Sequence, residues 1–270
     1  MKALLRLFFA LILSGYSAGV LAEDKLTIAA ASDLRFALEE ILQVFQAQYA
    51  QEFPQLSLQV IYGSSGKISN QIRQGAPFDV FFSADQRYTT ELYQAKVTAD
   101  PGTLYARGRL VLWSSRYDMR GVDLKELTQD KYRKIAIAQP SHAPYGERAR
   151  QSLVAAGVWS QVESKLVFGE NIAQTAQLAQ SGAADVAIVA LSLVKNPHLG
   201  ASQGAALAPH YQLIDAASHQ PLLQSYALTK QGAQKPQARQ LTTFMQSAAA
   251  RRILTRYGFE LPQTATGTPR

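Results

Sequence analysis

The chain has 270 residues, of which 47% are hydrophobic and 17% charged. That balance suits one large or two small globular domains and excludes wholesale disorder. It carries 27 Lys and Arg against 20 Asp and Glu, but the basic residues are scattered, so a nucleic-acid arm is not predicted and the excess offers only mild steering of anions. There is no cysteine, which removes thiol nucleophiles, thiolate metal sites, disulfides and the lipid-bearing cysteine of a bacterial lipoprotein together.

The first elements concern targeting. Lys2 and Arg6 form a basic start, Leu7–Leu13 a short apolar run, and Val20-Leu21-Ala22 the small residues a signal peptidase needs. The pattern predicts a signal peptide over residues 1–22, cleaved after Ala22. A membrane anchor is the alternative, but the run is too short to span a bilayer and Ser14, Gly15 and Ser17 interrupt it. A secreted chain with neither lipid nor a later apolar span is expected free in a periplasm.

The mature chain then alternates strands and helices. Leu26–Ala31 suits a buried parallel strand. Leu34, Ala37, Leu38, Ile41 and Phe45 fall at helical spacing, with Pro54 beyond the end. Leu56, Leu58 and Val60 alternate as a strand, a short helix is predicted between Gly66 and Gly75, and Phe78–Phe82 is a third strand. This βαβαβ order implies a parallel, doubly wound sheet. A second set follows: strands at Leu110–Trp113, Ile135–Ala138, Leu166–Phe168 and Val186–Val189, with helices over Glu147–Ala156 and Asn171–Ser181 ended by Gly157 and Gly182. Lys195–Pro209 reads as a loop, Ser225–Thr229 as a strand, and a last helix runs from Pro236 to Gly258 and packs back on the first lobe. The tail Thr264–Arg270 is expected to be disordered. The prediction is an α/β protein of two doubly wound lobes, with 23–106 and 212–270 in lobe 1, 107–211 in lobe 2, and two crossover segments near Leu104–Arg109 and Tyr211–Asp215.

Four strand-to-helix junctions share one character: Ala31-Ser32-Asp33, Gly63-Ser64-Ser65-Gly66, Ala143-Pro144-Tyr145-Gly146 and Glu170-Asn171-Ile172. Each sits at the carboxyl end of a strand, where open α/β sheets bind ligands. Each precedes a helix whose first N–H groups lack an internal partner and favour an anion. Ser32, Ser64, Ser65 and Tyr145 add hydroxyl donors. Simple capping accounts for any one junction; four of them in two lobes favour an anion site. Lys67 and Arg35, near these motifs, read as surface charges, and Asp79 and Asp85 as local caps or pairs.

Enzyme signatures are absent. His142, His198, His210 and His219 show no metal-ligand spacing, and no metal site is predicted. Gly63-Ser64-Ser65-Gly66 is not a nucleophile elbow, and Gly66-Lys67 is not a phosphate-binding P-loop. A secreted serine hydrolase using Ser65 with His142 is the enzymatic alternative.

The run Ala29-Ala30-Ala31-Ser32, the segment Gly63-Ser64-Ser65-Gly66-Lys67, and above all Gly75-Ala76-Pro77-Phe78-Asp79-Val80-Phe81-Phe82-Ser83-Ala84-Asp85 resemble the periplasmic molybdate-binding proteins of ABC transporters, as do the phrases around Asn171-Ile172 and Tyr257-Gly258-Phe259. The resemblance covers nearly all of the mature chain. It implies the type II periplasmic binding fold, no cofactor, no catalytic residue, an oxyanion (molybdate or tungstate) in the interlobe cleft, a membrane permease as partner, and a monomer. Carried over by position, it assigns ligand contacts to Ser32 with Asp33 beside it, to Ser65 with Ser64 beside it, to Tyr145, and to the backbone of Ile172. Some members use a tyrosine after the last core strand, where this chain has Ala190; others place a tyrosine in the third loop, which Tyr145 matches. Sulfate or phosphate remains the alternative ligand. Phosphate is expected to bind far less well, because its proton needs an acceptor in a cleft lined with donors and Asp33 is expected on the first helical turn, away from the ligand.

Overall fold

The computed structural model describes residues 24–196 and 210–262. The predicted leader, most of the predicted Lys195–Pro209 loop and the tail from Thr264 lie outside them. No helix among the described residues is long and apolar enough to cross a membrane.

Two five-stranded sheets form two lobes. The first has the order β2 (Leu56–Gly63), β1 (Asp24–Ala31), β3 (Val80–Ser83), β10 (Leu222–Leu228), β4 (Thr103–Gly108). The second has the order β7 (Leu166–Gly169), β6 (Ile135–Ala138), β8 (Val186–Ala190), β5 (Leu110–Trp113), β9 (Gln212–Leu213). In each, three strands are parallel as their βαβ order requires. The strands that arrive from the other lobe break the rule: β10 runs antiparallel to β3 and β4, and β5 to β8 and β9. The sheets are therefore mixed, because a chain crossing between lobes enters the new sheet in the opposite sense.

The crossovers also refine the expected boundaries. Residues up to Gly108 belong to the first sheet, so Arg109 is the first hinge. Gln212 and Leu213 pair with β5, so the chain returns to the first lobe after them and not at residue 212.

Helices α1 (Arg35–Gln48), α2 (Ser65–Arg73), α3 (Gln86–Gln94), α4 (Pro144–Ala155), α5 (Ile172–Gln180), α6 (Pro236–Phe244) and α7 (Ala248–Arg256) cover the sheets. In lobe 1, Leu38, Ile41 and Phe45 of α1 pack with Leu241 and Phe244 of α6 and Leu254 of α7 on one face. Ile68, Ile72 and Leu92 close the other with Phe81. The predicted stop residues Gly157 and Gly182 both adopt positive φ, which a side chain would disfavour. The single helix expected over 236–258 is two helices. Ser247 caps the second by accepting from the Ala250 N–H at 3.2 Å, which restarts the helix in a new direction. Helix α4 begins at Pro144 rather than Glu147, with the proline at a position where no N–H is needed.

The lobes are shut on each other. Ala31 and Ala84 of lobe 1 belong to the same packed cluster as the core of lobe 2. This seam places the carboxyl ends of β1, β2 and β6 face to face.

Candidate anion site between the lobes

The site is built from the junctions outward. β1 ends at Ala31 and passes into a 3-10 turn, Ser32–Leu34, before α1 begins. β2 ends at Gly63, and Ser64 has the extended backbone that opens α2. From lobe 2 come Ala143-Pro144-Tyr145 at the start of α4 and Ile172 at the start of α5. Together with Ala84, these segments line one small cavity bounded by Ser32, Asp33, Ser64, Ser65, Tyr145 and Ile172. All six sequence-predicted positions meet there, brought together from both lobes.

Their hydrogen bonds distinguish them. Ser65 accepts from the Ala84 N–H at 2.9 Å, which fixes the hydroxyl and leaves its proton to point elsewhere. Ser32 donates to Asn171 Oδ1 at 3.1 Å and accepts from the Ala173 N–H at 3.3 Å, so it joins the lobes. Ser64 does not act as a cap through its side chain; it meets His142 Nδ1 at 2.9 Å. Asn171 caps α5 by accepting from the N–H groups of Ala173 and Gln174, which leaves the Ile172 N–H outside the cap at the cavity wall.

Asp33 departs from expectation. It lies in the 3-10 turn ahead of α1 and not in that helix's first turn, and its carboxylate is buried within the seam. Oδ2 accepts from the Tyr145 hydroxyl at 3.0 Å and from Gln224 Nε2 at 2.6 Å. Oδ1 is buried and makes no well-formed hydrogen bond among the described residues, although the backbone N–H groups of Asp33 and Leu34 stand close enough to the carboxylate to favour its charge. Burial outweighs the hydrogen bonds and raises the Asp33 pKa to about 6. The Tyr145 hydroxyl is thereby committed to Asp33, and burial beside that carboxylate pushes its own pKa well up. The argument that phosphate would find no proton acceptor here therefore loses force, because Asp33 lines the cavity.

Gln224 completes the arrangement and was not foreseen. It stands on β10, fully buried, one residue before the predicted strand, and accepts from the Tyr105 hydroxyl at 2.7 Å. Ser192 also escaped notice; its hydroxyl donates to the Asp33 carbonyl at 2.7 Å across the lobes. A glutamine amid the apolar run Leu222-Leu223 was the only available signal for the first. Nothing local marked the second.

Among the described residues no Lys or Arg lines the cavity. Arg35 pairs with Glu39 and lies over the Tyr62 ring, and Lys67 pairs with Glu170 across the cleft mouth, so both are surface groups as expected. Asp79 pairs within its lobe with the sequence-distant Lys235, and Asp85 caps the following helix as expected while also reaching Arg148 of the other lobe. The described residues contain no cluster fit to hold a metal ion. The hydrolase alternative lacks its base: His142 contacts Ser64 rather than Ser65, and Glu170 stands 3.6 Å from its far nitrogen while engaged by Lys67.

Two mixed sheets joined by two crossings, with helix N-termini from both lobes around one small cavity, define the class of two-lobed solute-binding proteins. The chain belongs to the bacterial extracellular solute-binding protein family, whose model matches residues 26–260. It is 35% identical over 203 residues to the molybdate-binding protein ModA of Rhodobacter capsulatus, covering 73% of this chain and 75% of that one. It is 33% identical over 205 residues to the ModA of Azotobacter vinelandii, with 74% and 77% covered. The solved Azotobacter vinelandii periplasmic molybdate-binding protein superposes with a TM-score of 0.75 at 30% identity, covering 88% of this chain and all of that one.

Proposed function

We propose that this protein captures molybdate, with tungstate as its chemical analogue, between its lobes in the periplasm and delivers it as a monomer to the membrane permease of an ABC importer. The observation that carries the reading is the convergence of four strand-to-helix junctions from two lobes on one small interlobe cavity. The names of the relatives specify the oxyanion. Ser65 supplies a hydroxyl with a free proton, Ser32 a hydroxyl that turns from Asn171 Oδ1 to reach the ligand, and Tyr145 and Ile172 supply N–H groups at the first turns of α4 and α5, whose dipoles favour negative charge. Hydrogen bonds to a charged acceptor are stronger than neutral ones, so a dianion is held without a mobile cation. Ser64 orders the mouth by its bond to His142.

A melting scan against molybdate, tungstate, sulfate and phosphate, followed by calorimetric titration, tests the reading. A ligand at 100 times its Kd adds about 2.7 kcal/mol to stability, and molybdate and tungstate are expected to do so at the lowest concentrations. A response to sulfate or phosphate equal to that of molybdate, or to none of the four, overturns it.

A further inference from the structure

Asp33 is a buried acid in the wall of a cavity read as a site for a dianion. An ionised carboxylate there repels such a ligand, and the residue is 1% exposed, so water screens little of that repulsion. Oδ2 is fully occupied by Tyr145 and Gln224, while Oδ1 makes no well-formed hydrogen bond. A protonated Oδ1 turns this liability into a donor: it removes the like charge, satisfies an orphaned oxygen and offers one more O–H to the anion. Resting on the molybdate reading, we infer that the site is proton-coupled: each oxyanion is captured together with one proton, carried on Oδ1 of Asp33 and donated to an anion oxygen.

The proton comes from solvent, and no other bond is made or broken. Nothing else facing the carboxylate competes for it. From α4 the facing group is Tyr145, and behind Gln224, from β4, Tyr105; both hydroxyls are pushed well above their ordinary range by burial and the nearby carboxylate, so they stay protonated. From β10 it is the neutral Gln224, and from the short helix Leu191–Val194 the Ser192 hydroxyl, which binds the Asp33 carbonyl. Arg35, two residues on, is held at the surface by Glu39. His142 sits at the mouth against Ser64, and burial lowers its pKa, so it is neutral near pH 7. With Asp33 titrating at about 6 in the empty site, most free molecules are ionised at pH 7 and must take up the proton on binding.

Calorimetric titration of the full protein with molybdate, in buffers of different ionisation enthalpy, counts the protons. Uptake of about 0.9 per anion at pH 7 is expected, with affinity falling about 50-fold between pH 6 and pH 8. Asp33→Asn, which keeps the shape and needs no proton, is expected to bind with no uptake and to hold its affinity across that range. Molybdate bound tightly by the wild type with no proton exchange and a flat pH profile overturns the coupling while leaving the molybdate reading intact. Uptake that persists in Asp33→Asn assigns the proton to another group and also overturns it. Binding of no oxyanion at any pH removes the functional reading and this inference with it.

Discussion

The guanidinium of Arg148, on α4 of the second lobe, meets the carboxylate of Asp85 in the first lobe at 2.7 Å, and both side chains are buried. The other oxygen of Asp85 caps α3 by accepting from the Arg87 N–H at 2.9 Å. Arg87 in turn pairs with Glu147 at 3.1 Å, back across the cleft. A buried pair gains little over an apolar one, but removing one partner costs about 3–5 kcal/mol while the other stays buried. Arg148→Met is therefore expected to drive the empty protein open, where Asp85 regains water. Small-angle scattering checks this: the variant without ligand should have a larger radius than the wild type, and saturating molybdate should reduce it. The same radius in both empty proteins contradicts a role for this pair in closure.

The serines are predicted to differ. Ser65 holds its hydroxyl on the Ala84 N–H with its proton available, whereas the Ser64 hydroxyl is spent on His142. Loss of a bond to a charged acceptor costs roughly 1.5–3 kcal/mol, about 10- to 150-fold in Kd. Ser65→Ala should lose affinity on that scale, and Ser32→Ala and Ser64→Ala by less, because the Ser32 proton goes to Asn171 Oδ1 and the Ser64 hydroxyl meets His142. Titration calorimetry on the three variants decides it; equal losses at Ser64 and Ser65 would reverse the assignment.

Gly66 opens α2 where the lobes touch. Its N–H donates to the His142 carbonyl at 3.0 Å, and a Cβ on it would come within 2.7 Å of that oxygen. Within a helix, alanine is favoured over glycine by roughly 0.5–1 kcal/mol. Gly66→Ala should thus bind molybdate at least about tenfold more weakly, because closure is obstructed. A lower melting temperature with unchanged affinity would place the contact outside the closing motion.

Asp33 also makes the empty protein sensitive to pH. Its folded-state pKa of about 6 lies above the ordinary carboxylate value, so the folded state binds the proton more tightly than the unfolded chain. The group's stabilising contribution is complete below about pH 4 and is lost as pH rises through about 6, a cost on the order of 3 kcal/mol at neutral pH. Asp33→Asn should be more stable than the wild type at pH 7–8, with the difference shrinking towards pH 4. Urea unfolding of both proteins across pH 4–8 measures it, and a constant difference would contradict the buried, protonatable acid.

Strand and helix periodicity, with the stop glycines, pointed to the two-lobed plan, since short apolar runs such as Leu26–Ala31 and Val186–Val189 suit buried strands and the helices between them favour parallel neighbours. The four junctions that hold Ser32, Ser65, Tyr145 and Ile172 were legible for a local reason, since strand ends and helix starts carry unpaired N–H groups wherever they occur; which residue of each meets the ligand is what the family resemblance implies. What the sequence could not determine is how groups far apart in the chain face each other. Gln224 lies 191 residues from Asp33 and Tyr145 lies 112. Their meeting depends on a crossover strand entering the first sheet antiparallel and on the lobes closing against each other. Only that packing turns an ordinary aspartate at a strand-to-helix junction into a buried acid with one oxygen satisfied and one left open, because burial and partners in space, not neighbours in sequence, set the cost of its charge.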